Sequence, residues 1–67
     1  MFAIITFTKW GQTNKELVIG QEQSINEYAI HEGMMSGAKY DINLLGYNLP
    51  EGFDLGKWAT IKNLFKY

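Results

Sequence analysis

The single histidine lies beside two acids, and this is the spacing in the chain that most resembles a catalytic or metal-binding pattern. His31 follows Glu27 by one helical turn, so a helix would place both on one face as a base with its orienting carboxylate, or as two metal ligands. A zinc site needs three or four ligands, and the chain has no cysteine and no second histidine. The glycines match no phosphate-binding or nucleophile-elbow spacing. We therefore expect a solvated histidine, no metal or cofactor, and no enzymatic activity.

Lysines precede aromatic residues more often than composition predicts. Four of the six lysines do so, where a 15% aromatic share would give about one. Aromatic rings that stack on bases, beside lysines that follow the phosphates, bind single-stranded nucleic acid without sequence preference. In a strand, however, the same spacing only sends the lysine outward and the aromatic ring inward. The candidate nucleic-acid residues are Lys9, Trp10, Lys39, Tyr40, Lys57, Trp58 and Lys66.

The charge balance argues against nucleic acid as the first choice of partner. Six lysines and seven acids give a net charge of -1, so no strong field steers the chain toward a polyanion. The chain also has no arginine, the residue best suited to clamp phosphates and read guanine. Binding to nucleic acid through the lysine–aromatic pairs is therefore the alternative hypothesis.

Protein binding is the first hypothesis because the aromatic content is large for the size of the chain. Ten aromatic residues cannot all lie inside so small a core, and exposed aromatics are frequent anchors of protein interfaces. The loop 46–54 carries apolar groups that a connecting turn does not need, and two adjacent methionines offer an adaptable surface. A structural use of these residues, in the core or at a helix start, stays open. The candidate protein-binding residues are Tyr47, Leu49, Phe53, Met34 and Met35.

Two strands should form the N-terminal part of the scaffold. Phe2–Trp10 is rich in residues that favour strands and has apolar side chains at both odd and even positions, as in a strand covered on both faces. Residues 11–15 are polar and have the length of a turn. Glu16–Ile19 then reads as the returning strand of a hairpin.

A helix and a third strand should follow the hairpin. Ser24 and Glu27 have the capping-box spacing, which predicts a helix that begins at Ile25. Gly33 and Gly37 each offer a C-terminal stop. Residues 40–44 alternate apolar and polar side chains, the pattern of a half-buried strand.

The C-terminal segment fits a second helix better than a strand. Asp54 is placed to cap it, with Phe53 and Trp58 as a hydrophobic staple. Leu49–Trp58 also resembles the motif of helicase-associated domains, small helical modules beside bacterial helicases, which implies a helix start here. The Gln-Arg pair of that motif is replaced by Ile61-Lys62. The alternative is a fourth strand, because apolar residues of the last nine share one parity.

Sixty-seven residues without linker or repeat predict one small α+β domain covering residues 1–67. Its element order is ββαβα, with a three-stranded antiparallel sheet packed by one or two helices. No run is long and apolar enough for a membrane span, no signal peptide is recognisable, and cysteine is absent, so we expect a cytoplasmic protein. We predict a stoichiometric accessory or inhibitor of another protein that also forms a homodimer. The Arg-free, AT-rich-like composition favours a phage or mobile-element origin.

Overall fold

A four-stranded sheet and one α-helix make up the part of the chain that the computed structural model describes, residues 1–58 and 61–65. In chain order the elements are β1 (Phe2–Lys9), β2 (Gln12–Ile19), α1 (Glu22–Ser36), β3 (Lys39–Gly46), a 3₁₀ turn (Leu55–Lys57) and β4 (Ile61–Asn63). The sheet order is β3-β1-β2-β4, with β1 antiparallel to β2 and β3, and β4 parallel to β2. The predicted α+β class and its three antiparallel strands are confirmed, and the sheet gains a fourth, parallel strand.

The hairpin turn is shorter than predicted. Lys9 pairs with Gln12, so only Trp10 and Gly11 form the loop, and residues 12–15 belong to β2. Both loop residues have positive φ, 52° for Trp10 and 76° for Gly11, as a type I′ turn requires. The prediction of a five-residue polar turn was wrong because a strand segment that faces water, as residues 12–15 do, carries polar side chains as readily as a turn does.

Helix α1 begins earlier than the capping box predicted. Its N-cap is Gln21, which makes no side-chain capping bond, and Ser24 lies inside the first turn. The predicted stop at Gly37 is confirmed: its φ is 70°, and its N–H donates to the carbonyl of Gly33. In residues 1–58 and 61–65, no helix has the length and apolar character needed to cross a membrane.

The core lies between α1 and one face of the sheet. Pairing of Ala3 with Val18 and of Ile5 with Ile42 places these four side chains on the face that meets the helix. Ile25 of α1 is fully buried against this face. The apolar side of α1, whose residues recur every three or four positions, therefore packs on the apolar face of the strands, whose residues recur every two.

The segment between β3 and β4 must cross the sheet, because those strands occupy opposite edges. Leu17 points away from α1, as its pairing with Ile4 shows, yet it is fully buried and lies outside the helix-side core. Its pairing partners Ile4 and Ile61 share this face with it. In the segment between β3 and β4, the described side chains of Leu49, Phe53 and Trp58 are half-buried.

The predicted second α-helix is a single 3₁₀ turn followed by the short strand β4. The local contacts are those expected: the Asp54 side chain accepts from the Gly56 N–H at 2.9 Å, and the rings of Phe53 and Trp58 stack at 6.2 Å. The prediction of a full helix was wrong because the chain turns extended at Trp58. The parallel pairing of β4 with β2 confirms the alternative of a fourth strand.

Candidate protein-binding surface

The histidine and its neighbouring acids lie on α1. His31 and Glu27 are both exposed on α1, and Glu27 accepts a hydrogen bond from the Gln23 amide at 3.3 Å. Within residues 1–58 and 61–65, no three histidine, aspartate or glutamate side chains are placed to hold a metal ion.

An open groove between α1 and β2 is lined mainly by polar side chains. The Tyr28 hydroxyl donates to Glu16 at 2.5 Å, and the Ser36 hydroxyl donates to the carbonyl of Glu32 at 2.7 Å. These bonds tie the helix to the sheet and close its last turn. The groove, about 190 Å³ in volume, is lined by Phe7, Asn14, Glu16, Glu32 and Ser36.

One lysine–aromatic pair forms an exposed unit, at the tip of the hairpin. The Trp10 side chain is 91% exposed, and the Lys9 ammonium lies 4.5 Å from its ring centroid. The positive φ of Trp10 carries a steric cost for any residue with a Cβ, so the indole is held outward at some expense of backbone energy.

Two further lysine–aromatic pairs lie within the described residues, and neither presents its lysine and its ring together on one exposed face. Lys39 and Tyr40 are neighbours in β3 and point to opposite faces of the sheet. Trp58 is half-buried and stacks on Phe53, while Lys57 is exposed. Lys66 lies outside the described residues.

The candidate protein-binding residues fall into two groups at opposite ends of β3. Met34 and Met35 end α1 just before β3 starts, and they are 78% and 74% exposed. Tyr47 follows the end of β3 and is 79% exposed. Leu49 and Phe53 are half-buried, as the structural alternative expected. The eight residues of β3 separate the two groups by about 24 Å.

The outer edge of β3 links the two groups. β3 is the first strand in the sheet order, so of the described residues none pairs with its outer edge. Tyr40 and Leu44 lie on the helix face of this edge strand and are both exposed. An apolar row therefore runs beside a line of unpaired backbone N–H and C=O groups.

Two contacts show which flank of α1 lies over this edge. On one flank Tyr28 reaches Glu16 of β2, and in the middle Gly33 packs against Tyr40 of β3. Because an α-helix has about 3.6 residues per turn, Ile30 and Met34 lie on the side of α1 opposite to Tyr28, next to Gly33. Met35 falls on the Tyr28 flank.

We call the exposed apolar row along this edge the edge strip. Both of its helix residues lie on the flank beside β3, and both of its strand residues lie on the helix face of β3. Its members are Ile30, Met34, Tyr40 and Leu44.

The chain matches no known family model, and no curated protein and no solved structure is significantly similar to it. The case for function therefore rests on the surface itself.

Sequence reasoning identified the methionines but missed Ile30 and Leu44 of the edge strip. Leu44 was assigned to the buried face of a strand, which is its true face, and its exposure follows only from the edge position of β3. The local signal for Ile30 and Met34 is their four-residue spacing, which places two apolar side chains next to each other on α1. They lie apart from the row of Ile25, Ala29 and Gly33 that faces the sheet.

Proposed function

We propose that this chain is a non-enzymatic protein-binding module that acts as a stoichiometric accessory or inhibitor. The observation that carries the proposal is the open β3 edge with the edge strip beside it. An unpaired strand supplies main-chain hydrogen bonds to an added strand, and an adjacent apolar row supplies the pockets and contacts that select it. A phage or mobile-element origin belongs to the same proposal and stays a prediction.

The other edge of the sheet supports this choice by contrast. Along β2, residues 12–16 extend past β4, and of the described residues none pairs with their outer edge. Those five residues are all polar and include Lys15 and Glu16, the type of composition that discourages strand addition. The β3 edge also has two charged residues, Lys39 and Asp41. Unlike residues 12–16, however, it has three apolar residues in alternation, which are Tyr40, Ile42 and Leu44.

Adjacent methionines offer a matched test of the surface. Met34 and Met35 are almost equally exposed, so a glutamate at either position adds the same charge with a similar loss of buried area. Met34 belongs to the edge strip and Met35 does not. We expect an immobilised Met34→Glu chain to lose a protein partner that the wild type and Met35→Glu both retain, with a one-to-one stoichiometry by light scattering of the eluted complex.

Two results would contradict the proposal. Equal retention of the partner by the two glutamate variants would separate binding from the edge strip. Turnover of partner or substrate by catalytic amounts of the chain would replace stoichiometric binding by an enzymatic role. Circular dichroism of both variants before the experiment controls for unfolding.

A second candidate function, binding of single-stranded nucleic acid, is favoured by the exposed Lys9–Trp10 unit. An indole held outward on strained backbone is a ready stacking platform. We expect indole fluorescence quenching by a short oligonucleotide, lost in Trp10→Ala and weakened steeply by salt. The absence of any binding at low salt would exclude this function.

A further inference from the structure

The edge strip of one copy of the chain can pair with the edge strip of a second copy. This property favours a second copy over a different protein as its binding partner. Two copies joined edge to edge and antiparallel are related by a two-fold axis perpendicular to the sheet, so both helices lie on the same side. Residues that face each other across the new pair must then share a face. Only registers centred on one residue of β3 meet this condition.

The register centred on Ile42 brings the strip of one copy onto the strip of the other. Tyr40 faces Leu44 of the second copy, Ile42 faces its own counterpart, and Leu44 faces Tyr40 of the second copy. An aromatic side chain opposite an aliphatic one is a favourable cross-strand pair. On the opposite face, Asp41 meets Asn43 of the second copy, and no like charges oppose each other.

The neighbouring registers are worse. A shift centred on Asp41 sets two carboxylates opposite each other on the axis, which is destabilising. A shift centred on Asn43 sets Tyr40 opposite Gly46, where β3 has a bulge against β1 and offers no side chain. The register centred on Ile42 is therefore the most favourable of these three.

Helix α1 adds to the same interface. Gly33 lies against Tyr40, and Ile30 is three residues earlier, about 4.5 Å along the helix axis toward the level of Ile42. Ile30 thus lies on the outward flank close to the two-fold axis. Its counterpart in the second copy approaches from the other side.

We infer that the occupant of the open β3 edge is a second copy of this chain, paired antiparallel about Ile42. The inference rests on the proposed role of the edge strip as a binding surface and names its partner. A different protein that binds the same edge competes with the second copy, because one strand edge accepts one strand.

The absence of cysteine makes the register directly testable. In the inferred dimer, position 40 of one copy faces position 44 of the other, within the range of a disulfide, whereas the two positions 40 are about 14 Å apart. Both residues are exposed, so Tyr40→Cys and Leu44→Cys leave the core intact. We expect mild oxidation of a mixture, one variant carrying a tag, to give a disulfide-linked heterodimer, and each variant alone to give several-fold less product.

The mass of the untreated protein gives the second readout. We expect twice the monomer mass of 7.7 kDa at high micromolar concentration, falling to the monomer mass on dilution and in Ile30→Asp. A monomer mass at all concentrations would overturn the inference. So would a dimer whose cysteine mixture gives no more product than either variant alone, since its register would be different.

The outcomes separate this inference from the proposed function. A monomeric chain that loses a heterologous partner in Met34→Glu and keeps it in Met35→Glu would end the self-pairing and leave the edge strip as a binding surface. A cross-linked dimer whose heterologous partner binds both methionine variants equally would keep the self-pairing and place that partner elsewhere.

Discussion

The strained backbone of Trp10 at the tip of the hairpin predicts that replacing this residue can stabilise the fold, although the replacement removes a contact. Trp10 has a φ of 52°, in the left-handed region that costs an ordinary L-residue roughly 1–2 kcal/mol and that asparagine tolerates. Trp10→Asn creates the Asn-Gly pair preferred by type I′ turns. It forfeits little buried area, since the side chain is 91% exposed, and a Lys9 cation–π contact of about 0.5–1 kcal/mol.

The net expectation is a stabilisation of roughly 0.5–1 kcal/mol, which for a domain of this size raises Tm by roughly 2–8 °C. Thermal and urea unfolding at one fixed protein concentration measure it, because self-association would otherwise change the apparent stability. Trp10→Ala removes the same contact without relieving the strain and should therefore lower the stability. The expected order is Asn above Trp above Ala.

A glycine in the same turn provides the control. An added Cβ at Gly11 would meet no atom within 4 Å, so the cost of Gly11→Ala comes from its φ of 76° and should be about 1–2 kcal/mol. If Trp10→Asn destabilised the fold while Gly11→Ala behaved as expected, the indole would contribute contacts that outweigh the strain, and the reasoning about Trp10 would be refuted.

Three further substitutions test other parts of the structure. Tyr47→Ala should abolish capture of a protein partner while lowering stability by less than roughly 1 kcal/mol, because Tyr47 is exposed; a loss of several kcal/mol with normal binding would show that it is structural. Tyr28→Phe removes the hydroxyl that donates to Glu16 and should cost about 1 kcal/mol in urea unfolding, an effect that should be smaller in a Glu16→Ala background. Gly20→Ala would bring its Cβ to 2.9 Å from the Cβ of Leu64 and should cost roughly 1–3 kcal/mol, and an equal cost in a Leu64→Gly background would show that the clash is not the cause.

Local patterns predicted the elements more successfully than their ends. The alternation of residues 40–44 and the β-rich start of the chain gave β3 and β1, and Gly37 gave the end of α1. The start of α1 was misplaced because the capping-box spacing of Ser24 and Glu27 occurs within the first turns, where Gln21 begins the helix without a side-chain cap. The capping-box spacing shows only that Ser24 could cap a helix, and it does not show where the helix begins.

The candidate surface was harder to predict because it depends on long-range pairing. The residues of β3 read as a half-buried strand in any position, and only the order β3-β1-β2-β4 leaves one side of that strand open. Similarly, Phe53 was a plausible anchor by residue type, but its stacking on Trp58 engages it within the chain. Composition predicted that some aromatics must be exposed; the topology decided which ones.

Strand β4 is joined to the sheet by fewer and more distant pairings than the other three strands. β1 pairs on both sides and lies under α1, whereas β4 contributes three residues that pair with residues 44 positions earlier in the chain, Leu17 with Ile61 among them. Such a distant pairing forms late and opens early. We therefore expect β4 to open before the other strands, so that the amides of residues 17–19 exchange faster than those of β1.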